Sequence, residues 1–234
     1  MTSGEALLII RRNDFLAQLS QDDYDSLNIE HNVITRGKNE YIYFEPEWHG
    51  KIYFVKDGYI KIGSIDDTGT EHIIDILQPG DVFGQFTLDN SQTLHKEFAR
   101  AHKSDVALCA FTTHDFRTLL SNRPDLSIQF SKKIGQKFKK FENRILNLLQ
   151  KNARTRLLYF LYTLVKAADS SSNSIEINNF LTHAEIAHMT GTSRQTVTTL
   201  VNRFEEEGIL KMTNKKIHIP DIHLLEKQLN ITPR

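Results

Sequence analysis

The stretch Gly191-Thr192-Ser193-Arg194-Gln195-Thr196-Val197 decides how the C-terminal part folds, because a helix stop and a helix start stand almost side by side in it. Gly191 suits the left-handed position that ends a helix, and Ser193 suits the cap that begins the next. Upstream, Thr182-His183-Ala184-Glu185 has the spacing of a capping box, in which Thr182 caps the start and Glu185 reaches back to it. Downstream, Val197, Leu200, Val201 and Phe204 recur at i, i+3, i+4 and i+7 and form one buried stripe. That leaves Arg194, Gln195, Thr198, Thr199, Asn202 and Arg203 facing outward.

A short helix, a tight glycine-containing turn and a second helix with a polar outer face make a helix-turn-helix. Arg194 can donate two hydrogen bonds to guanine, and Gln195 can pair bidentately with adenine. The hydroxyls of Ser193 and Thr196, with the unpaired N–H groups of the helix start, suit phosphate oxygens. An ordinary helical hairpin facing only water is the alternative; the absence of acidic residues from Ser193 to Phe204 weighs against it. Glu205-Glu206-Glu207-Gly208 closes the helix, and the acidic run reads as a solvated face. Ile209 to Ile219 then reads as a β-hairpin whose tip, Thr213-Asn214-Lys215, forms a basic wing for the DNA backbone. The candidate DNA contacts are Thr182, Ser193, Arg194, Gln195, Thr196, Thr198, Thr199, Arg203 and Lys215.

Working outward, the charge distribution supports a polyanion on this side of the chain. The 234 residues carry no formal net charge, with 29 basic against 29 acidic side chains. Residues 1–124 hold 12 Lys and Arg against 19 Asp and Glu, a net of −7, whereas residues 125–234 hold 17 against 10, a net of +7. Phosphate contacts need only local positive potential. With 39% hydrophobic and 25% charged residues the composition is that of an ordinary globular protein, and no apolar run approaches a membrane span. Ala6-Leu7-Leu8-Ile9-Ile10 lacks a basic leader and a small-residue cleavage site, so it does not read as a signal peptide. The single cysteine, Cys109, excludes an internal disulfide framework and thiolate-rich metal sites. The expected location is the cytoplasm.

From Val33 to Phe111 the chain shows short β-prone runs separated by turn residues. A helical start with Phe15, Leu16, Leu19, Tyr24 and Leu27 comes before them. Asp57-Gly58, between Ile52–Val55 and Tyr59–Ile62, reads as a hairpin turn. Asp67-Thr68-Gly69 makes a second turn and Pro79-Gly80-Asp81 a break ahead of Val82-Phe83-Gly84. An antiparallel barrel or jelly roll is expected. After Pro124, Phe130, Ile134, Phe138, Phe141, Ile145 and Leu148 follow at spacings of 4, 4, 3, 4 and 3, an apolar seam along one long helix. This seam can pack on the chain's own barrel or, as its narrowness favours, against the same helix of a second subunit. Asn152 is a cap candidate for a further helix from Arg154 to Lys166. The expected organisation is α+β: a β-roll over 1–124, a dimerisation helix over 125–150 and a winged helix-turn-helix over 151–234.

In this order, the chain resembles the Crp/Fnr family of bacterial transcription regulators. The resemblance runs through Tyr53-Phe54-Val55, Gly58, Gly69, Pro79-Gly80-Asp81-Val82-Phe83-Gly84, the long helix, Arg156-Leu157 and Thr182 through Gly208. It implies an effector-binding β-roll, a dimer helix and homodimeric binding to two-fold-related DNA half-sites, with RNA polymerase as a partner. It also implies an effector pocket at Gly84, Gln85, Phe86, Lys96, Glu97 and Phe141. There the chain departs from cyclic-nucleotide binders, which have Glu after the glycine and then Arg followed by Ser or Thr. Gln85 could still bond a hydroxyl and Lys96 offer a point charge, but Lys lacks the guanidinium fork and Glu97 would repel a phosphate. Phe141-Glu142 stands where cyclic-AMP-responsive members have a small hydroxyl pair. These departures argue against cyclic AMP and leave any small-molecule effector unnamed. An iron–sulfur cluster needs several thiolates, and scattered histidines such as His72, His95 and His102 are weak grounds for haem. Cys109, in the run Val106–Phe111, reads as core. Gln195 replaces the Glu common at its position in the family. A cupin-like metal-binding barrel with an incidental helical tail is the reading from another class; it would need clustered His, and His49, His72, His95 and His102 are scattered.

Overall fold

The structure is a computed structural model and describes residues 15–20, 23, 33–44, 50–84, 86, 97–166 and 172–231. Ala6–Ile10, Tyr24, Leu27, Pro46, His49, Gln85, His95, Lys96 and the loop around Ser170 lie outside the described residues. Internal contacts divide the chain into two compact units, Met1–Lys137 and Phe138–Arg234.

The first unit is an antiparallel roll of β1 (Val33–Arg36), β2 (Tyr41–Phe44), β3 (Lys51–Ile65), β4 (Glu71–Leu77), β5 (Val82–Gly84) and β6 (Glu97–Thr112). The two long strands, β3 and β6, pair along their whole length and build both halves. One half is β1, the end of β6, the start of β3 and β5; the other is β2, the start of β6, the end of β3 and β4. Asp57-Gly58 is therefore not a hairpin turn. The pairing runs Val55 to Leu108 and Asp57 to Ala107, then jumps to Tyr59 with His102, so the strand passes straight on through an irregular corner. Gly58 has φ +77°, and a Cβ there would lie 2.4 Å from the Asp105 carbonyl oxygen. A corner bulge needs the same left-handed glycine as a hairpin, which is why the local sequence suggested one.

Both faces of the first half are buried, so the strand alternation sorts side chains into two cores. Tyr53, Val55, Ile60, Ile62, Leu77, Phe83, Ala99 and Leu108 fill the inside of the roll. Ile52, Phe54, Val82, Cys109 and Phe111 face the opposite way, onto Phe15, Leu19 and two helices, α1 (Thr113–Asn122) and α2 (Pro124–Gln150). Cys109 is fully buried, and burial pushes its thiol up to about 11. Helix α1 was not expected, although Thr112 caps it by accepting the Asp115 N–H. Phe130 of α2 belongs to this core, 6% exposed, with its ring 4.9 Å from that of Phe116. For Phe130, and for half-buried Ile134, the helix packs on its own roll; assigning them to a dimer seam was wrong for Phe130, whose surface is already used.

The second unit contains α3 (Ala153–Lys166), β7 (Ile175–Asn178), α4 (His183–Thr190), α5 (Arg194–Glu206), β8 (Lys211–Met212), β9 (Lys216–Ile219) and α6 (Ile222–Gln228). Asn152 caps α3, its side chain accepting the Thr155 N–H at 2.9 Å. The β8–β9 hairpin gains a third strand, β7, on its β9 edge. Neither β7 nor α6 was anticipated: Ile175-Glu-Ile-Asn178 shows only two apolar positions, too few to declare a strand before its partner is known.

Candidate nucleic-acid interface

Helix α4 begins in a complete capping box. The Thr182 hydroxyl accepts the Glu185 N–H at 3.2 Å, and the Glu185 carboxylate accepts the Thr182 N–H at 2.8 Å. It ends at Gly191, whose φ of +61° lets Thr192 N–H turn back onto Ala187 O at 2.9 Å. Three carbonyls at that end are held by arginines. Arg144 donates to His188 O at 3.0 Å, and Arg156 donates to Thr190 O at 2.8 Å and Gly191 O at 2.9 Å. Cations suit the negative end of a helix dipole, so these contacts fix the turn as well as satisfying it.

Ser193 then caps α5 by accepting the Thr196 N–H at 3.0 Å. Val197, Val201 and Phe204 are buried and Leu200 is half-buried, so the apolar stripe anchors the helix with its other side in solvent. At the far end Arg154 stacks over the Phe204 ring at 4.8 Å and grips Glu207 through both terminal nitrogens. Arg154 and Arg203 together hold the Glu207 carboxyl below its ordinary range.

The outward side chains fall into two groups that the sequence does not distinguish. Some are tied within the unit. The Ser193 and Thr196 hydroxyls bond each other at 2.8 Å, and Arg203 Nε donates to Glu207 at 2.9 Å. Thr198 Oγ1 donates to Arg194 O at 3.0 Å and lies 2.9 Å from His183 Nδ1. Thr182 is occupied in its capping box, where its hydroxyl donates to Glu185 at 3.0 Å. Arg194, Gln195, Thr199 and Asn202 are exposed and make no side-chain hydrogen bond to described residues. Asn202 faces outward as its position in the helix predicts and joins this group, beyond the contacts expected from the sequence. His183 reads in the sequence only as part of a cap; the fold, which sets α4 against α5, brings it to Thr198.

The wing is a tight turn in which Thr213 Oγ1 accepts the Lys215 and Lys216 N–H groups at 3.3 and 3.0 Å. Asn179, next to β7, braces it by donating to Thr213 O at 2.7 Å. Lys215 is exposed at the tip, while Lys216 pairs with Glu176 at 3.0 Å.

In the first unit the described effector residues have separate neighbours. Gly84 pairs with Ile52 at φ +102°, where a Cβ would come within 2.3 Å of Lys51 O. Phe86 packs toward the helices, its ring 6.4 Å from Phe130. The Glu97 carboxylate accepts the Tyr43 hydroxyl. Tyr43 joins Tyr53 and Phe83 in an aromatic cluster, with the last two rings stacked at 4.8 Å. Phe141 lies half-buried on α2 in the second unit.

Two family models match the chain: a cyclic nucleotide-binding domain over residues 34–123 and a Crp-like helix-turn-helix domain over residues 155–228. The anaerobic regulatory protein of Pasteurella multocida is 27% identical over 209 residues, covering 87% of this chain and 74% of its own. The global nitrogen regulator of Synechocystis is 25% identical over 197 residues, covering 84% and 88%. A solved structure of a CooA mutant from Carboxydothermus hydrogenoformans superposes with a TM-score of 0.69 at 25% identity, covering 84% of this chain and 87% of that one. A metal-binding barrel with an incidental tail loses its premise, because the tail is itself a matched DNA-binding domain. The order of roll, long helix and helix-turn-helix, with both halves matched, places this chain in the Crp/Fnr family of DNA-binding transcription regulators.

Proposed function

We propose that the chain acts as a homodimer on a two-fold-related operator, reading bases through α5 and steadied on the backbone by the wing. The observation that carries this is the α5 face itself: Arg194, Gln195, Thr199 and Asn202 stand exposed and uncommitted on a helix with no acidic residue before Glu205. Exposed apolar side chains on α2, Phe138 at 71%, Ile145 at 57% and Leu149 at 77%, support a second copy packed along it. The functional division is a β-roll effector part over 1–124, a dimer helix over 125–150 and a DNA-binding part over 151–234. The reading includes a cytoplasmic regulator without catalysis of its own that works with RNA polymerase; no helix among the described residues is long and apolar enough to cross a membrane.

The effector reading is that cyclic AMP is not the signal. Supporting it, the Tyr43 hydroxyl donates to the Glu97 carboxylate, which stands where the resemblance implies a phosphate-binding hydroxyl and would repel a phosphate. An effector, if one acts, shifts the population of DNA-competent dimers through differential affinity.

The test is selection of bound DNA from a random pool, with and without cyclic AMP and cyclic GMP. A two-fold-related sequence recovered equally under all three conditions is expected; a nucleotide-dependent gain would overturn the effector reading. Arg194→Ala should relax base preference at one position per half-site by about 1–3 kcal/mol, and unchanged selectivity would remove Arg194 as a base reader.

A further inference from the structure

The hydroxyl of Thr198 has one proton, and that proton is spent inside the domain. Oγ1 donates to Arg194 O at 3.0 Å, one turn back on the same helix. His183 Nδ1, on the first position of α4, lies 2.9 Å from the same oxygen. If the imidazole carries its proton on Nδ1 it donates to Thr198, and both bonds are made together. In the other tautomer the Thr198 proton goes to His183 instead of Arg194 O. Either way no proton is left to offer to a base acceptor. Thr198 is nonetheless exposed, on the same side of α5 as Arg194 and Gln195. With Oγ1 held toward α4 and the preceding turn, the part of the side chain left for a groove is the methyl group.

From this, and resting on the DNA-binding reading above, we infer that Thr198 is a specificity residue of apolar type that reads the C5-methyl group of a thymine, with His183 as the positioning residue that selects this mode. In the major groove a threonine can use its hydroxyl on several bases or its methyl on thymine alone. His183 and Arg194 O together take the hydroxyl's only proton, so it has none to offer base acceptors, and they turn Oγ1 toward α4, which leaves the methyl as the group facing outward. Nearby Thr199, which makes no such bond, keeps its hydroxyl available. Two threonines adjacent in sequence thus have different chemistry at the DNA, one apolar and one polar.

The test uses the full-length protein and the operator recovered from the random pool. Each thymine is replaced in turn by deoxyuridine, which removes only the C5-methyl group. One position per half-site should weaken binding of the wild type by roughly three- to five-fold, the worth of one buried methyl. Thr198→Val keeps the methyl and should keep that loss. Thr198→Ser keeps the hydroxyl and should bind thymine and deoxyuridine operators alike at that position. His183→Ala removes one of the two bonds that hold Oγ1 and should lower the thymine-to-deoxyuridine ratio, a readout that a purely structural loss of affinity would leave unchanged; an unchanged ratio removes His183 as the positioning residue. The inference is overturned if Thr198→Ser still discriminates as the wild type does, if Thr198→Val loses discrimination, or if no thymine is methyl-sensitive. Recovery of no preferred sequence at all would overturn the DNA-reading assignment as well, whereas a clear operator without methyl sensitivity overturns this inference alone.

Discussion

Lys56 is a cation with only 5% of its surface exposed, on β3 at the edge of the roll's corner. Burial pushes its ammonium down to about 8, with the neighbouring Cys109 thiol pulling weakly the other way. An unfolded chain would hold that proton to ~10.4. Above pH 8 the unfolded state therefore binds more protons than the folded one, so this group's contribution to stability rises as pH rises. Below pH 8 both states are charged and the full cost of burying the cation remains. From pH 9 upward Cys109, pushed up to about 11, works in the opposite sense, because its thiol ionises first in the unfolded chain. The useful window is pH 8 to 9. There the stability gap between Lys56→Met and the wild type should narrow as pH increases, by no more than about 1.4 kcal/mol per unit for one proton. Denaturation midpoints of the two proteins across pH 7 to 9 check this; a constant gap would show that Lys56 does not titrate there. Residue identity was legible in the DNA-binding stretch, where Arg194 and Gln195 were chosen from the sequence and stand exposed. What stayed hidden was commitment. Ser193, Thr196 and Arg203 find their partners within about one helical turn, whereas Thr198 also meets His183 on another helix, a contact that only the fold provides.

At the scale of the element, two glycines show where local reading succeeds and where it fails. Gly191 was read as a helix stop and is one, because its work is done with carbonyls of the preceding turn. Gly58 was read as a hairpin and is a corner, because its geometry depends on β6, far along the chain. Gly191→Ala should destabilise the second unit by about 1–2 kcal/mol through the left-handed backbone alone. The new Cβ would also lie 2.3 Å from Leu148 Cδ2, but that is the mobile end of a side chain and can give way. Urea denaturation of the full-length variant measures the loss. Adding Leu148→Ala should recover only the smaller, steric part, and full recovery would show that backbone strain is not the main cost.

Across the whole molecule, the apolar seam of the long helix α2 is divided between a buried and an exposed part. Phe130 is enclosed in the first unit's core, while Phe138 and Ile145 are left open. Phe138→Asp with Ile145→Asp should turn the proposed dimer into a folded monomer, since neither side chain is needed in the chain's own core. Light scattering should show the halved mass, with circular dichroism unchanged. Binding to a two-half-site operator should fall at least about ten-fold through loss of the second half-site. A wild-type protein already monomeric at working concentration would sink the dimer reading. The sequence by itself determined the helix-turn-helix, its caps and its outward face, because helix period and capping act within a turn or two of chain. It also set the acidic and basic halves and the β-rich character of residues 33–111. Only the tertiary structure decided that Asp57-Gly58 is a corner, that Phe130 is interior and that His183 engages Thr198. Each of these is settled by a partner distant in sequence, and no local pattern specifies which distant partner a residue will meet.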